Sequence, residues 1–185
     1  MQFRDLTADD IEVRVQSVKQ NGLILLLYKN ARVDMALLDE TVGAENWQRE
    51  HYECKGNLFC RVGISVGIYV NHNSPEKWVW KSDCGVESPT EKEKGEASDS
   101  FKRACFNWGI GRELYTSPFI WIPKEKCKIY EKKDKSGKPV FACDDRFAVE
   151  KIAIENKKIV GLSIINNSIK ADNIKDKRCF IWSFK

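Results

Sequence analysis

Lys102 and Arg103 stand side by side in the run Gly95-Glu96-Ala97-Ser98-Asp99-Ser100-Phe101-Lys102-Arg103-Ala104 of the 185-residue chain. Adjacent cations of this kind hold a phosphate backbone without reading bases, through contacts that weaken steeply with salt. On a helical wheel Lys92 and Arg103 fall within about 20° of each other, opposite Phe101 and Ala104, and Lys102 flanks them. Basic side chains then project from the face that the apolar stripe leaves free. The stretch from Ser88 to Tyr115 holds five basic residues and five acids. Composition alone therefore makes no patch there, and an ordinary solvated helix face is the competing reading.

Bond-breaking chemistry has weaker support. Glu53-x-Lys55, Glu131-x-Lys133 and Glu155-x-Lys157 fit the Glu-x-Lys pair that metal-dependent DNA nucleases place on a strand. Three hits in a Lys- and Glu-rich chain have the mark of chance, and two fall in expected turns. A nuclease stands as the alternative, with a structural oligomer that binds a host factor as a third reading. His51, Cys54 and Cys60 are the nearest thing to a metal cluster, but cysteine is often simply a small buried hydrophobe. Gly109-x-Gly111 lacks the Gly-Lys-Ser or Gly-Lys-Thr of a phosphate loop. No catalytic residue, metal or other cofactor is expected.

Two further groups carry possible binding chemistry. Trp78, Trp80, Trp108 and Trp121 could stack on bases, although aromatics at strand and helix spacing are more often core. From Lys124 to Lys138 seven lysines face Glu125, Glu131 and Asp134. That stretch reads equally as an accessory DNA surface, a dock for an acidic tail, a solvated turn or a guarded edge strand.

The elements that position these residues are legible in outline. Thr7-Ala8-Asp9-Asp10 predicts a helix start, continued by Ile11, Val15 and Val18 and ended by Asn21-Gly22. Leu23 to Tyr28 reads as a buried strand, and Arg32 to Val42 as a short helix stopped by Gly43. Lys55-Gly56-Asn57 and His72-Asn73-Ser74-Pro75 predict hairpin turns in a three-stranded meander from Trp47 to Val86. Ser88-Pro89-Thr90-Glu91 predicts the capped start of the main helix, whose stripe Ala97, Phe101, Ala104, Cys105 and Trp108 faces the sheet. Gly109 and Gly111 end or bend it. Beyond Pro118 the chain returns to strands, with turns at Ser136-Gly137 and Glu155 to Lys158 and a last strand from Cys179 to Phe184. The order is α+β.

Hydrophobic residues make up 42% of the chain, enough for a real core. Net charge is +4, which permits nucleic-acid binding without demanding it. The seven cysteines are odd in number and show no Cys-x-x-Cys spacing, as expected for free thiols in a reducing cytoplasm. The longest apolar run, Leu23 to Tyr28, is too short to cross a bilayer, and the first residues do not open a signal peptide. A cytoplasmic protein with no membrane partner is the expectation.

The run from Gly95 to Ala104, with Trp108-Gly109-Ile110-Gly111-Arg112-Glu113-Leu114-Tyr115 after it, resembles the hallmark helix and turn of the Rad52 family of single-strand annealing proteins. Its phage and bacterial members are the most similar. Ala31-Arg32-Val33-Asp34-Met35-Ala36-Leu37, followed by Gly43 and Trp47, is similar to the Arg-headed short helix that the family places before its meander. The resemblance covers roughly residues 7 to 117. It implies a homo-oligomeric ring with single-stranded DNA in a basic groove, and ATP-independent annealing of complementary strands in recombination and repair. Lys102 and Arg103 match the family's paired basic residues at the groove floor, Arg32 its groove arginine, and Lys94 a basic residue two turns before the pair. Lys92 and Arg112, in the same stretch, complete the expected DNA-binding set. Two regions are expected: an annealing core over 1–117 and a β-rich extension over 118–185. Eukaryotic relatives carry a long tail for partners, and the early end of this chain points to a phage or bacterial protein, cytoplasmic in a bacterial host. A host single-strand-binding protein or recombinase is a further expected partner.

Overall fold

Residues 12–19 alternate exposed and half-buried side chains, and in the computed structural model of the chain they form a strand. The helix predicted there from Ile11, Val15 and Val18 is not formed. Val13 and Val15, β-branched and two apart, fit the pleat of a strand. Only the capped start survives, as a single 3-10 turn over Ala8–Asp10 in which Asp10 Oδ2 accepts from Thr7 N and Thr7 Oγ1. Asn21-Gly22 does not end a helix but closes a hairpin, with Lys19 opposite Gly22.

The structure describes residues 1–67, 77–86, 92–171 and 173–183, with the backbone alone for Lys92. In chain order the elements are β1 (Glu12–Lys19), β2 (Gly22–Tyr28), α1 (Ala31–Val42), β3 (Trp47–Cys54), β4 (Asn57–Ser65), β5 (Trp78–Cys84), α2 (Lys92–Asn107), β6 (Ile120–Pro123), β7 (Tyr130–Lys133), β8 (Pro139–Ala142), β9 (Phe147–Glu155), β10 (Lys158–Asn166) and β11 (Arg178–Ser183). The fold is α+β, with every strand pair among the described residues antiparallel. The turn predicted at His72 to Pro75 and the helix start predicted at Ser88 to Glu91 lie outside the described residues.

The chain divides into two compact units that interleave in sequence. One joins Met1–Arg4 to Asn30–Gly111, and the other joins Asp5–Lys29 to Arg112–Lys185. The first lies within the stretch expected as core. The second unites residues 5–29 with the extension expected from residue 118.

In the first unit β3, β4 and β5 form a meander with α2 on one face. Lys55 (φ 53) and Gly56 (φ 75) make the tight β3–β4 turn. Cys60, Val62 and Ile64 of β4 and Phe101, Ala104 and Cys105 of α2 are fully buried between sheet and helix. Trp47 stacks on Phe101 with centroids 6.2 Å apart, and Arg49 lies over the same ring at 4.7 Å. Trp108 Nε1 donates to Val62 O at 3.0 Å. Asn30 caps α1 by accepting from Arg32 N, and Gly43 (φ 86) ends it.

The second unit is a six-stranded sheet in the order β11-β10-β9-β1-β2-β6, with β7 and β8 paired separately. Leu23, Leu25, Ile120, Ile122, Ile159 and Ile164 are buried in it. A three-strand polar link also holds it. The Glu150 carboxylate accepts from Ser163 Oγ at 2.6 Å and from Arg178 Nε and Nη2, and its side chain is only 6% exposed. The hydrogen bonds from Arg178, then from Ser163, hold its pKa at about 2, below the ordinary 4.5. A depressed carboxylate pKa contributes stability above its unfolded value and loses it as pH falls toward the folded value. The unfolding midpoint is therefore expected to fall between pH 4.5 and pH 2 in the native chain, and less steeply in Glu150→Gln. Equal slopes in the two chains, followed by circular dichroism, would remove this link from the account of acid stability.

Candidate nucleic-acid interface

The helix that carries Lys102 and Arg103 is fixed to its sheet by polar contacts along its length. Glu96 Oε1 accepts from Leu58 N at 3.1 Å, and Ala97 O lies 3.1 Å from His51 Nε2. Near the C-terminal end Lys81 Nζ donates to Asn107 O at 2.8 Å and lies over the Trp108 ring at 4.6 Å. His51 is thus engaged with backbone. Cys60 is buried, and burial pushes its thiol pKa up to about 11. Neither is arranged as a ligand, and among the described residues no group of three His, Cys, Asp or Glu residues could hold a metal.

Both basic side chains remain at the helix surface, each beside an acid. Lys102 Nζ is 4.0 Å from Asp99 Oδ1, one helical turn away. Arg103 Nε donates to Asp83 Oδ1 at 3.3 Å, so the guanidinium leans along the β5 border and stays 43% exposed. Its partial burial works against the charge, but Asp83, Asp99 and Cys84 together more than offset this and raise the pKa above the ordinary value. Asp99 is also held, accepting from Val86 N at 3.1 Å. The surface at this point is two cations with two carboxylates folded against them. A phosphate would reach the cations by displacing or joining those carboxylates.

Arg32 is exposed in the first turn of α1, which packs against α2 in the same unit. Lys94 is exposed in the first turns of α2, and the backbone of Lys92 opens that helix. Arg32, Lys92, Lys94, Lys102 and Arg103 therefore belong to one unit. Arg112 belongs to the other, at the start of a 3-10 turn over Arg112–Thr116.

The structure adds residues that sequence reasoning passed over. Asp83 arrives from β5 and Asp99 from one turn earlier on α2, and each places a carboxylate beside one of the two cations. The meander face away from α2 carries Tyr52 stacked on Phe59 at 5.6 Å, Trp78 against Trp80 at 6.1 Å, and Arg61 over Trp80 at 4.7 Å. Arg61 also pairs with Glu50. The period-2 alternation of β4 and β5 is the signal that separates this face from the buried one. Of the four tryptophans considered for stacking, Trp108 is tied into the helix–sheet contact. Trp121 packs against Gly22, where an added Cβ would lie 2.3 Å from its ring. Trp80 is 37% exposed.

A family model described as Rad52/22 family double-strand break repair protein matches residues 3–133. No curated protein and no solved structure matches the chain. No helix among the described residues is long and apolar enough to cross a membrane.

Proposed function

Because the chain belongs to the Rad52/22 family of double-strand break repair proteins, we propose that it binds single-stranded DNA and promotes ATP-independent annealing of complementary strands. The family places it in DNA recombination and repair. The observation that carries the finer reading is the adjacent, surface-held pair Lys102 and Arg103 on α2, inside the matched stretch. Annealing needs phosphates neutralised while bases stay free to sample register. Cations on a helix anchored to a sheet supply the first without occupying the bases. Arg32, Lys92 and Lys94 on the same unit extend the contact. A homo-oligomeric ring, repeating the site from one copy to the next, gives a strand a continuous track. Annealing breaks no covalent bond, so the reading needs no catalytic group.

The test is the pairing rate of two complementary fluorescent oligonucleotides in EDTA without nucleotide. Acceleration by the wild-type chain is the expected result, with both strands intact on a denaturing gel. Strands left unpaired until a divalent metal is added, and then cut, would replace this reading with a nuclease.

A further inference from the structure

We propose that the hairpin of β7 and β8, with the cleft beside it, forms a further binding site for single-stranded nucleic acid, carried by residues of the second unit. This goes beyond the α2 reading and does not depend on it. The seven lysines from Lys124 to Lys138 are all exposed. None of them takes part in an ion pair among the described residues.

Several nearby acids are occupied within the fold. Asp134 Oδ1 accepts from Ser136 N at 2.8 Å, Ser136 Oγ at 2.7 Å and Lys138 N at 3.0 Å. Those bonds, that from the Ser136 hydroxyl first, hold the Asp134 carboxyl below its ordinary pKa. Asp144 accepts from the Tyr130 hydroxyl at 2.6 Å. Asp145 accepts from Lys128 N and from Asn166 Nδ2, each at 2.8 Å. The hairpin tip is a built turn, closed by Asp134 N to Lys138 O at 2.9 Å and by Gly137 at φ 82. The lysines are therefore presented on an ordered frame.

Beside the hairpin lies a cleft of about 480 Å³, with Tyr130 and Phe141 in its wall and Lys124 and Lys128 lining it. Each aromatic residue is 37% exposed. Glu125 and Glu131 also line the cleft. They balance Lys124 and Lys128 there, so the cleft suits a neutral base, with the backbone on the lysines outside it. Aromatic faces for bases with lysines for phosphates are the chemistry of sequence-tolerant single-strand binding. The lysines alone would attract an acidic peptide equally well. The partly exposed aromatic side chains in the cleft wall favour the nucleic acid.

The probe is a fluorescent oligothymidylate, titrated by anisotropy from low to moderate salt against the full chain. The variants are Lys132→Gln/Lys133→Gln/Lys135→Gln/Lys138→Gln, Lys102→Ala/Arg103→Ala and the two combined, with a Phe141→Ala chain alongside. The lysine substitutions lie on exposed positions, and unchanged circular dichroism checks that they fold. The quadruple variant is expected to bind about tenfold more weakly at low salt. The slope of log affinity against log salt should fall by up to about 2.8, that is 0.7 for each lost phosphate contact. Binding that survives Lys102→Ala/Arg103→Ala is expected to fall about a further tenfold in the combined variant. Phe141→Ala should weaken binding about fivefold or more with the salt slope unchanged. A quadruple variant with wild-type affinity and slope overturns the hairpin site, whatever the α2 variant does. A Glu-rich peptide that needs the hairpin lysines while the oligonucleotide does not would assign the surface to a protein segment instead, and also overturns the proposal.

Discussion

Gly85→Ala is expected to destabilise the first unit by about 3 kcal/mol, the upper range for overpacking. A Cβ at this position would lie 2.2 Å from Glu96 O and 3.0 Å from Glu96 C. Both sides of the contact are backbone, so no rotamer change relieves it. Gly85 is pinned by its own N–H to Leu58 O at 2.9 Å. Glu96 is pinned through its carboxylate to Leu58 N. The helix must move off the sheet, and the fully buried Phe101, Ala104 and Cys105 lose their packing. Gly56→Ala is the matched control, because nothing lies within 4 Å of its Cβ and only the left-handed backbone (φ +75) opposes the change. It should cost about 1 kcal/mol. Urea unfolding followed by tryptophan fluorescence measures both. Equal midpoints for the two variants would show that α2 tolerates displacement, and the rigid presentation of Lys102 and Arg103 would fall with it.

Local signals made much of this fold readable. The α1 stop at Gly43 needs a positive φ, and Gly43 has φ 86. The β9–β10 hairpin turns on Asn156 (φ 50) and Lys157 (φ 61), between Glu155 and Lys158 as their polarity suggests. The α2 stripe is buried at Phe101, Ala104 and Cys105 because its period matches the helix. What failed was a short segment that fits two periods. Ile11, Val15 and Val18 fit a helix, but Val13 and Val15 fit a strand, and pairing with β2 and β9 decides between them. That pairing is partly remote. Glu12 meets Ala148, and Leu25 meets Ile120, and no local pattern announces partners so distant in sequence. The interleaving of the two units was illegible for the same reason.

The candidate site divides along the same line. A helical wheel puts Arg103 opposite the apolar stripe, but it cannot show an acid arriving from another strand. Asp83 comes from β5, twenty residues earlier, and draws the guanidinium toward the sheet border. Asp99, by contrast, sits one turn from Lys102, where i,i+3 spacing makes the pair foreseeable. The Glu150, Ser163 and Arg178 link spans three strands and has no sequence period at all.

Replacing Lys102 and Arg103 together by alanine is expected to lower single-strand affinity about tenfold or more at low salt and to slow annealing at least as much. Two phosphate contacts per copy correspond to a loss of about 1.4 in the salt slope for single strands. Neither residue is buried, and their ion pairs are partly exposed, so the fold should be little affected. Asp83→Asn pushes the other way. It releases the Arg103 guanidinium from its carboxylate and removes a negative charge from the path of the backbone. An affinity gain of about threefold is expected, visible at low salt and gone above about 0.5 M, where screening covers all but the nearest charges. The gain depends on Arg103, so Asp83→Asn should lose most of it in an Arg103→Ala chain. This non-additivity separates the two readings of the helix. A solvated face predicts that each substitution leaves annealing unchanged, whereas a phosphate-binding face predicts opposite single effects that meet at Arg103. Annealing at the wild-type rate by a folded Lys102→Ala/Arg103→Ala chain would return α2 to the solvated reading, even with the family membership intact.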